Sequence, residues 1–442
     1  MSEAVLNGLA AQFVQLTLCK SLYDTGDVQW YVEGPFWRRT NMCFSREYKT
    51  LPDYEIGDRK HGRTLENIRD ETDALKKSLM AYHVDEERER QRVEYLIEHV
   101  NSLLVRCQMM LGKNFSFNEM TEGLYNLVAP AFDYKQFDQM LLKMEVGMPG
   151  TGPILSRIDT FRKQIAIPKD RLLKVLTLVT EEFHRASMKQ MRLTGNSMPR
   201  IRVRKLPKPN TVFISTLFGY DYDHIQYERN FNIDFPWDVE KVMEYVGHEM
   251  EPGHLTYYEK RTQTFIDTSW PEMSIVSLYS PSSAFTEGSA RYASDLCFEC
   301  SMEKKVKFEK EYIFKTAGLD ENLVCYMPLW HEFTKMSGYG KLEASRNIWD
   351  NIWTKEEGLD FLKRYGFLEQ AAGIGDLEEI LDDVGHYVCH DYARDVVTDF
   401  FEGTVDTSEE KWKLYENLCC AHMSMRQMKE QSYRPEQQPW RL

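Results

Sequence analysis

Apolar residues recur at helical spacing along almost the whole of this 442-residue chain, and the pattern turns to alternation just after Met198. Residues 4–22 put Val5, Leu9, Phe13, Leu16 and Cys19 on one side of a helix. Two long, highly charged helices are predicted over 65–112, broken near His83. More follow over 117–128, 133–147, 151–164 and 168–192, the last with Pro168 suited to a helix start. The stretch IRVRKLPKPNTVFISTLFG then alternates around a Pro-Lys-Pro-Asn turn, which predicts a short hairpin of Arg200–Lys205 with Thr211–Leu217. Helices return from about Trp237, and 431–442 read as a frayed tail. The expected class is therefore mostly α with one small β hairpin or sheet. A chain this long holds one large domain, or an N-terminal helical lobe at about 1–195 and a second lobe at 196–430.

A formal charge of −14 argues against nucleic acid and anionic membranes as partners, and Arg200–Lys208 is too short and interrupted to make a basic patch. No run of about 18 apolar residues occurs, so no membrane span is expected. The N-terminus lacks a basic n-region and a small-residue cleavage site, which predicts a cytoplasmic protein. The cysteines are odd in number, nine, and scattered, which fits a reducing compartment better than a disulfide framework. Cys297 and Cys300 form a lone CxxC inside a helical run and read as buried helix cysteines.

The densest chemistry lies in EYVGHEMEPGHLTYYEKR, residues 244–261. His248 and His254 are candidate zinc ligands, and Glu249 is placed to take a proton from water at the metal. Six residues separate the histidines, which on an unbroken helix would put the second ring about 240° around from the first. Pro252 and Gly253 lie between them, one unable to continue a helix and the other tolerant of unusual dihedrals. The helix is thus expected to break there and return His254 toward His248. Downstream, Glu287 in SSAFTEGSARYASDL starts a helix among small residues that would let a neighbouring helix come close. Taken alone, each of these residues also suits a solvated helix surface.

Together, HEMEPGH at 248–254 and EGSARYAS at 287–294 resemble the zinc-peptidase-like family catalogued as domain of unknown function 885, whose members show HExxPGHH followed by EGWxxYxE. The resemblance is strongest over 240–300. It implies a large helical zincin-like fold with a central cleft. His248, His254 and Glu287 would then be the ligands of a zinc ion, and Glu249 the general base. Leu255 stands where the family has its second consecutive histidine, and Ser289 replaces its Trp. The family's C-terminal tyrosine segment corresponds to VGHYVCHDYA, which would put His390 in the oxyanion-stabilising position with His386 and Tyr387 as added catalytic groups. Arg291, one turn after Glu287, is a candidate contact for a substrate anion, and Tyr279 and Tyr392 are candidate cleft residues. Arg229 reads as a surface ion pair or a contact for a substrate carboxylate.

Three functions compete. The first is a zinc-dependent metallohydrolase, a metallopeptidase-like enzyme cleaving a peptide or amide bond. The second is a zinc-dependent tailoring enzyme of small-molecule metabolism, a lyase, cyclase or deacylase. The third, a scaffold without activity, is disfavoured because the three ligands and the base occur together.

Overall fold

Helices begin where a side chain can meet the free backbone N–H groups of the first turn. Thr64, Ser116, Thr354 and Thr407 each accept from the backbone of the third helical residue, whose side chain returns the bond. The computed structural model describes residues 3–24, 26–31, 63–84, 86–191, 198, 200–207, 212–218, 226–381, 385 and 387–430. Within them the first helices are α1 (Glu3–Ser21), α2 (Leu65–Met80), α3 (Glu87–Met110) and α4 (Phe117–Tyr125). Next come α5 (Tyr134–Gly147), α6 (Ile154–Gln164) and α7 (Lys169–Gln190). The site region follows with α8 (Val239–Glu249), α9 (His254–Thr268), α10 (Pro281–Leu296) and α11 (Met302–Phe308). The C-terminal part holds α12 (Met327–Trp349), α13 (Lys355–Arg364), α14 (Ile374–Leu381), α15 (Ala393–Thr404), α16 (Ser408–Cys419) and α17 (Met425–Lys429). The protein is mostly helical with small sheets, as its periodicity predicts. No helix among the described residues is long and apolar enough to cross a membrane.

The predicted hairpin does not form as such. Strands β2 (Arg200–Arg204) and β3 (Phe213–Phe218) do not pair with each other. Both flank β4 (Gln226–Asn232), β2 in parallel and β3 antiparallel. Lys208, Pro209 and Asn210 of the predicted turn, and Thr211 at the start of the predicted second strand, lie outside the described residues. The sequence QYERNFN has weak alternation, and only its place between two partners makes it a strand. A second pair joins β1 (Val28–Tyr31) to β5 (Ile275–Ser277), tying the N-terminal helices to the segment that enters α10.

In α1 Phe13, Leu16 and Cys19 of the predicted side are buried, together with Leu6, Ala10, Val14 and Thr17; Leu9 packs against them half-buried, and Val5 is exposed. Apolar residues occur all round this helix, so periodicity does not settle its rotation. One apolar cluster gathers Leu6, Phe13, Ile68, Leu75, Leu96 and Val100 with Ile275. The other runs from Phe117 to Met428 and takes residues from both sides of position 195. The CxxC pair lies just beyond the end of α10, with Cys300 exposed rather than buried.

Helix α10 is the hub, packing against α3, α4, α8, α9, α15 and α16. Its small residues permit this. A Cβ on Gly288 would stand 2.7 Å from the backbone of Ala393, so α15 touches α10 main chain to main chain. Ser280 caps the helix by accepting from Ser283 N, and Pro281 opens it.

A buried polar network braces one side of α10. Arg92 holds Glu272, His422 Nε2 lies 3.0 Å from Glu272 Oε1, and His99 Nε2 lies 2.6 Å from Ser282 Oγ. Burial holds both rings neutral, pushing His99 down to about 3 and His422 to about 4. The unfolded chain takes up those protons below about pH 6.5, so acid favours unfolding. We expect stability to be lost by a few kcal/mol as pH falls from 6.5 toward 4, because each tenfold difference in proton affinity between folded and unfolded chain is worth about 1.4 kcal/mol. Urea midpoints at pH 7, 5.5 and 4.5 check this, and a flat profile would contradict it.

Candidate metal centre

The break between α8 and α9 is built by the backbone. Helix α8 ends at Glu249 and α9 starts at His254. Between them Gly253 N donates to Gly247 O, folding the chain back over the end of α8. A Cβ at Gly253 would lie 2.0 Å from His248 O, so only glycine fits. Tyr415 Oη donates to Pro252 O from α16, and His184 Nδ1 meets Glu251 Oε2 at 2.5 Å from α7, pinning the turn from two sides. His254 is thereby returned toward His248, with ring centroids 4.4 Å apart.

Glu287 reaches both rings from α10. Its Oε2 lies 2.9 Å from His248 Nε2 and 3.2 Å from His254 Nε2. These three side chains are buried, and their donor atoms all lie within 4.8 Å of one another. Two ligand atoms about 2.0–2.1 Å from a tetrahedral zinc stand roughly 3.3 Å apart, close to the spacing seen. The residues therefore fit the ion that their types suggest. The outer nitrogens, His248 Nδ1 and His254 Nδ1, are buried without a hydrogen-bond partner, whereas metal-binding histidines usually donate through that nitrogen.

Electrostatics agree with a cation-binding role. Burial by itself would raise the Glu287 carboxyl. The charges of His254 and His390 and hydrogen bonds from His248 and His254 reverse this and hold it well below the usual range. For His254 burial lowers the ring's affinity for a proton, and Glu287 more than restores it. A carboxylate kept ionised between imidazoles presents the charge that a divalent cation satisfies.

Glu249 stands beside this cluster, its Oε1 3.8 Å from His248 Nε2. Arg229 from β4 holds it in place: Nη2 donates to Glu249 O at 2.8 Å and lies 3.2 Å from Oε2. Arg229 is fully buried and rests on the Phe213 ring, so it is neither a surface residue nor open to a substrate. Its role was hidden in the sequence because the middle position of β4 depends on strands distant in the chain. Removing one partner of a buried ion pair typically costs about 3–5 kcal/mol. We expect Arg229→Met to lower unfolding stability by that order in urea titrations, and a loss under about 1 kcal/mol would argue against the bracing role.

His390 arrives on a π-helical turn, Val388–Tyr392, that leads into α15. Its ring centroid is 5.4 Å from that of His248, and its Nδ1 is 3.5 Å from Glu287 Oε2. Arg291 Nε donates to the same Nδ1 at 3.3 Å. Because arginine only donates, Nδ1 accepts and a neutral His390 carries its proton on Nε2. The other arms of Arg291 are engaged, with Nη2 2.8 Å from Glu244 Oε1 and Nη1 3.2 Å from Asp391 Oδ1. As a free contact for a substrate anion Arg291 is thus already spent. It also lines a cavity of about 510 Å³ that includes Met243, Glu244, Ser294, Phe298 and His331.

The remaining candidates divide. Tyr387 lies near Lys341, whose ammonium is 5.9 Å from the ring centroid, and Tyr392 faces Lys429 at 5.6 Å. Tyr279 turns toward the N-terminal helices, with Arg106 3.8 Å over its ring and its carbonyl accepting from Ser102. His386 lies outside the described residues.

No family model matches the chain, and no curated protein matches it. Among solved structures it is similar to a candidate lipoprotein from Colwellia psychrerythraea, at 12% identity and a TM-score of 0.49, over 83% of this chain and 69% of that one. A candidate lipoprotein of unknown function from Shewanella oneidensis is similar over 84% of this chain and 73% of its own, at 13% identity and a TM-score of 0.42.

Proposed function

We propose that the protein is a zinc-dependent hydrolase of a peptide or amide bond. The observation that carries this reading is the convergence of His248 Nε2, His254 Nε2 and Glu287 Oε2 with the carboxylate of Glu249 alongside. Three protein ligands leave a coordination position open, which distinguishes catalytic from structural zinc sites. When bound, zinc would supply Lewis-acid polarisation of the scissile carbonyl and would acidify water. Glu249 takes the proton from the attacking water at its carboxylate and passes it to the leaving amine. Arg229 keeps that carboxylate oriented. His390 presents Nε2–H toward developing negative charge, because Arg291 occupies Nδ1.

A second reading on the same site is deacylation or another tailoring step on a small molecule. The cavity beside Arg291 favours it, since about 510 Å³ suits a small ligand. Both readings are tested by metal analysis of the purified protein, then by a screen of peptides and acylated metabolites with and without chelator. Hydrolysis that is lost on chelation and restored by zinc supports the proposal. Hydrolysis indifferent to chelator, in protein free of metal, rejects it.

A further inference from the structure

Among the described residues, the cations around the metal centre are nearly all matched. Arg229 is held by Glu249, Arg291 by Glu244 and Asp391, and Arg394 by Asp295. Lys341 of α12 differs: it is half-buried, and no carboxylate oxygen of a described residue lies within 4.0 Å of its ammonium. Its position is close to the site. It lies one turn after Gly338, against which the Asp391 carboxylate packs so tightly that a Cβ would fall 2.3 Å from Oδ1. Its ammonium stands 5.9 Å from the ring centre of Tyr387, one turn before His390. Asp391 and Glu244 feel its charge, and burial lowers its own proton affinity.

Building on the metallohydrolase reading, we infer that Lys341 binds a free carboxylate on the substrate's leaving amine. A partly desolvated ammonium with no carboxylate of a described residue within 4.0 Å, and only the longer-range charges of Asp391 and Glu244, gains most from a ligand that brings a counterion into contact. One free point charge suits a monoanion. The carboxylates of Glu244 and Asp391 in the same cluster disfavour a phosphate dianion. The substrate class is therefore an amide whose amine half is an amino acid with a free α-carboxylate. This group occurs both at a peptide C-terminus and in an N-acylated amino acid.

The test uses the Glu249→Gln protein, whose slowed turnover lets binding be read, after its zinc content and melting have been measured. Calorimetry compares N-acetyl-alanyl-phenylalanine with its C-terminal amide, and N-acetylphenylalanine with its amide. With Lys341 intact, at least one acid should bind about 10- to 100-fold more tightly than its amide, as expected for one hydrogen bond to a charged group. Adding Lys341→Met should level the pair, and Lys341→Arg should keep part of the preference. The acid that binds best tells peptide from acyl amino acid. Equal binding of acid and amide, no binding of either acid, or a preference that survives Lys341→Met in a protein that melts like its parent overturns the inference. A protein without zinc that still prefers the acid, through Lys341, defeats the hydrolase reading and with it the leaving-amine assignment, and keeps only the carboxylate contact of Lys341.

Discussion

Glu249→Gln should retain its metal and lose about 10²–10⁴-fold in turnover on the substrate found by screening, the range typical of positioned acid–base catalysis. The amide is nearly the same size, but it leaves the buried Arg229 guanidinium without its carboxylate, so a loss of unfolding stability of about 3–5 kcal/mol is expected beside the loss of turnover. Arg229 keeps its 2.8 Å bond to the Glu249 carbonyl whatever the side chain, so the end of α8 stays anchored. What disappears is the proton acceptor beside His248 Nε2. Parallel measurements of metal content, melting and kcat separate this outcome from misfolding. Normal turnover in the variant would show that Glu249 does not move the proton, leaving substrate polarisation as the main contribution of the site.

Replacing both His248 and His254 with Ala should abolish stoichiometric zinc, from about one per chain to near none. Even residues that only support a metal ligand typically cost 10–100-fold in affinity, and these two supply the donor atoms themselves. Glu287 alone then remains of the buried cluster. Zinc that binds only the folded protein stabilises it, by about 2.7 kcal/mol at 100 times the dissociation constant. Added zinc should therefore raise the melting temperature of the native protein and leave that of the double variant unchanged. Full occupancy in the double variant, by elemental analysis after dialysis, would remove the assignment. Glu287→Gln is the milder companion, because a neutral amide is a poorer ligand than a carboxylate. It should weaken zinc without eliminating it.

Helical content, helix starts and the break at Pro252–Gly253 were legible in the sequence because each depends on neighbours a few residues away. Apolar spacing sets a helix, a capping side chain starts it, and a proline with a glycine interrupts it. The three side chains of the candidate site were marked by the motif resemblance; two lie on either side of that break, and the third lies seven residues into α10 and not at its start, because Ser280 and Pro281 open that helix earlier. The full rotation of α1 was not legible, since Phe13, Leu16 and Cys19 of its predicted side are buried but Val5 is exposed on a helix with apolar residues all round. Nor was the pairing of β2 and β3, which look like a hairpin by spacing and are separated by β4. Arg229 against Glu249, and Arg291 held by Glu244, Asp391 and His390, join residues on elements separated in the chain. Whether a charged side chain is free for a substrate or already matched depends on what packs against it, and α10, with close neighbours on several sides, makes those choices in three dimensions. The sequence by itself marked which groups are candidates for chemistry, because residue types and local spacing are written in it, and the tertiary structure decided which of them are held by partners on distant elements.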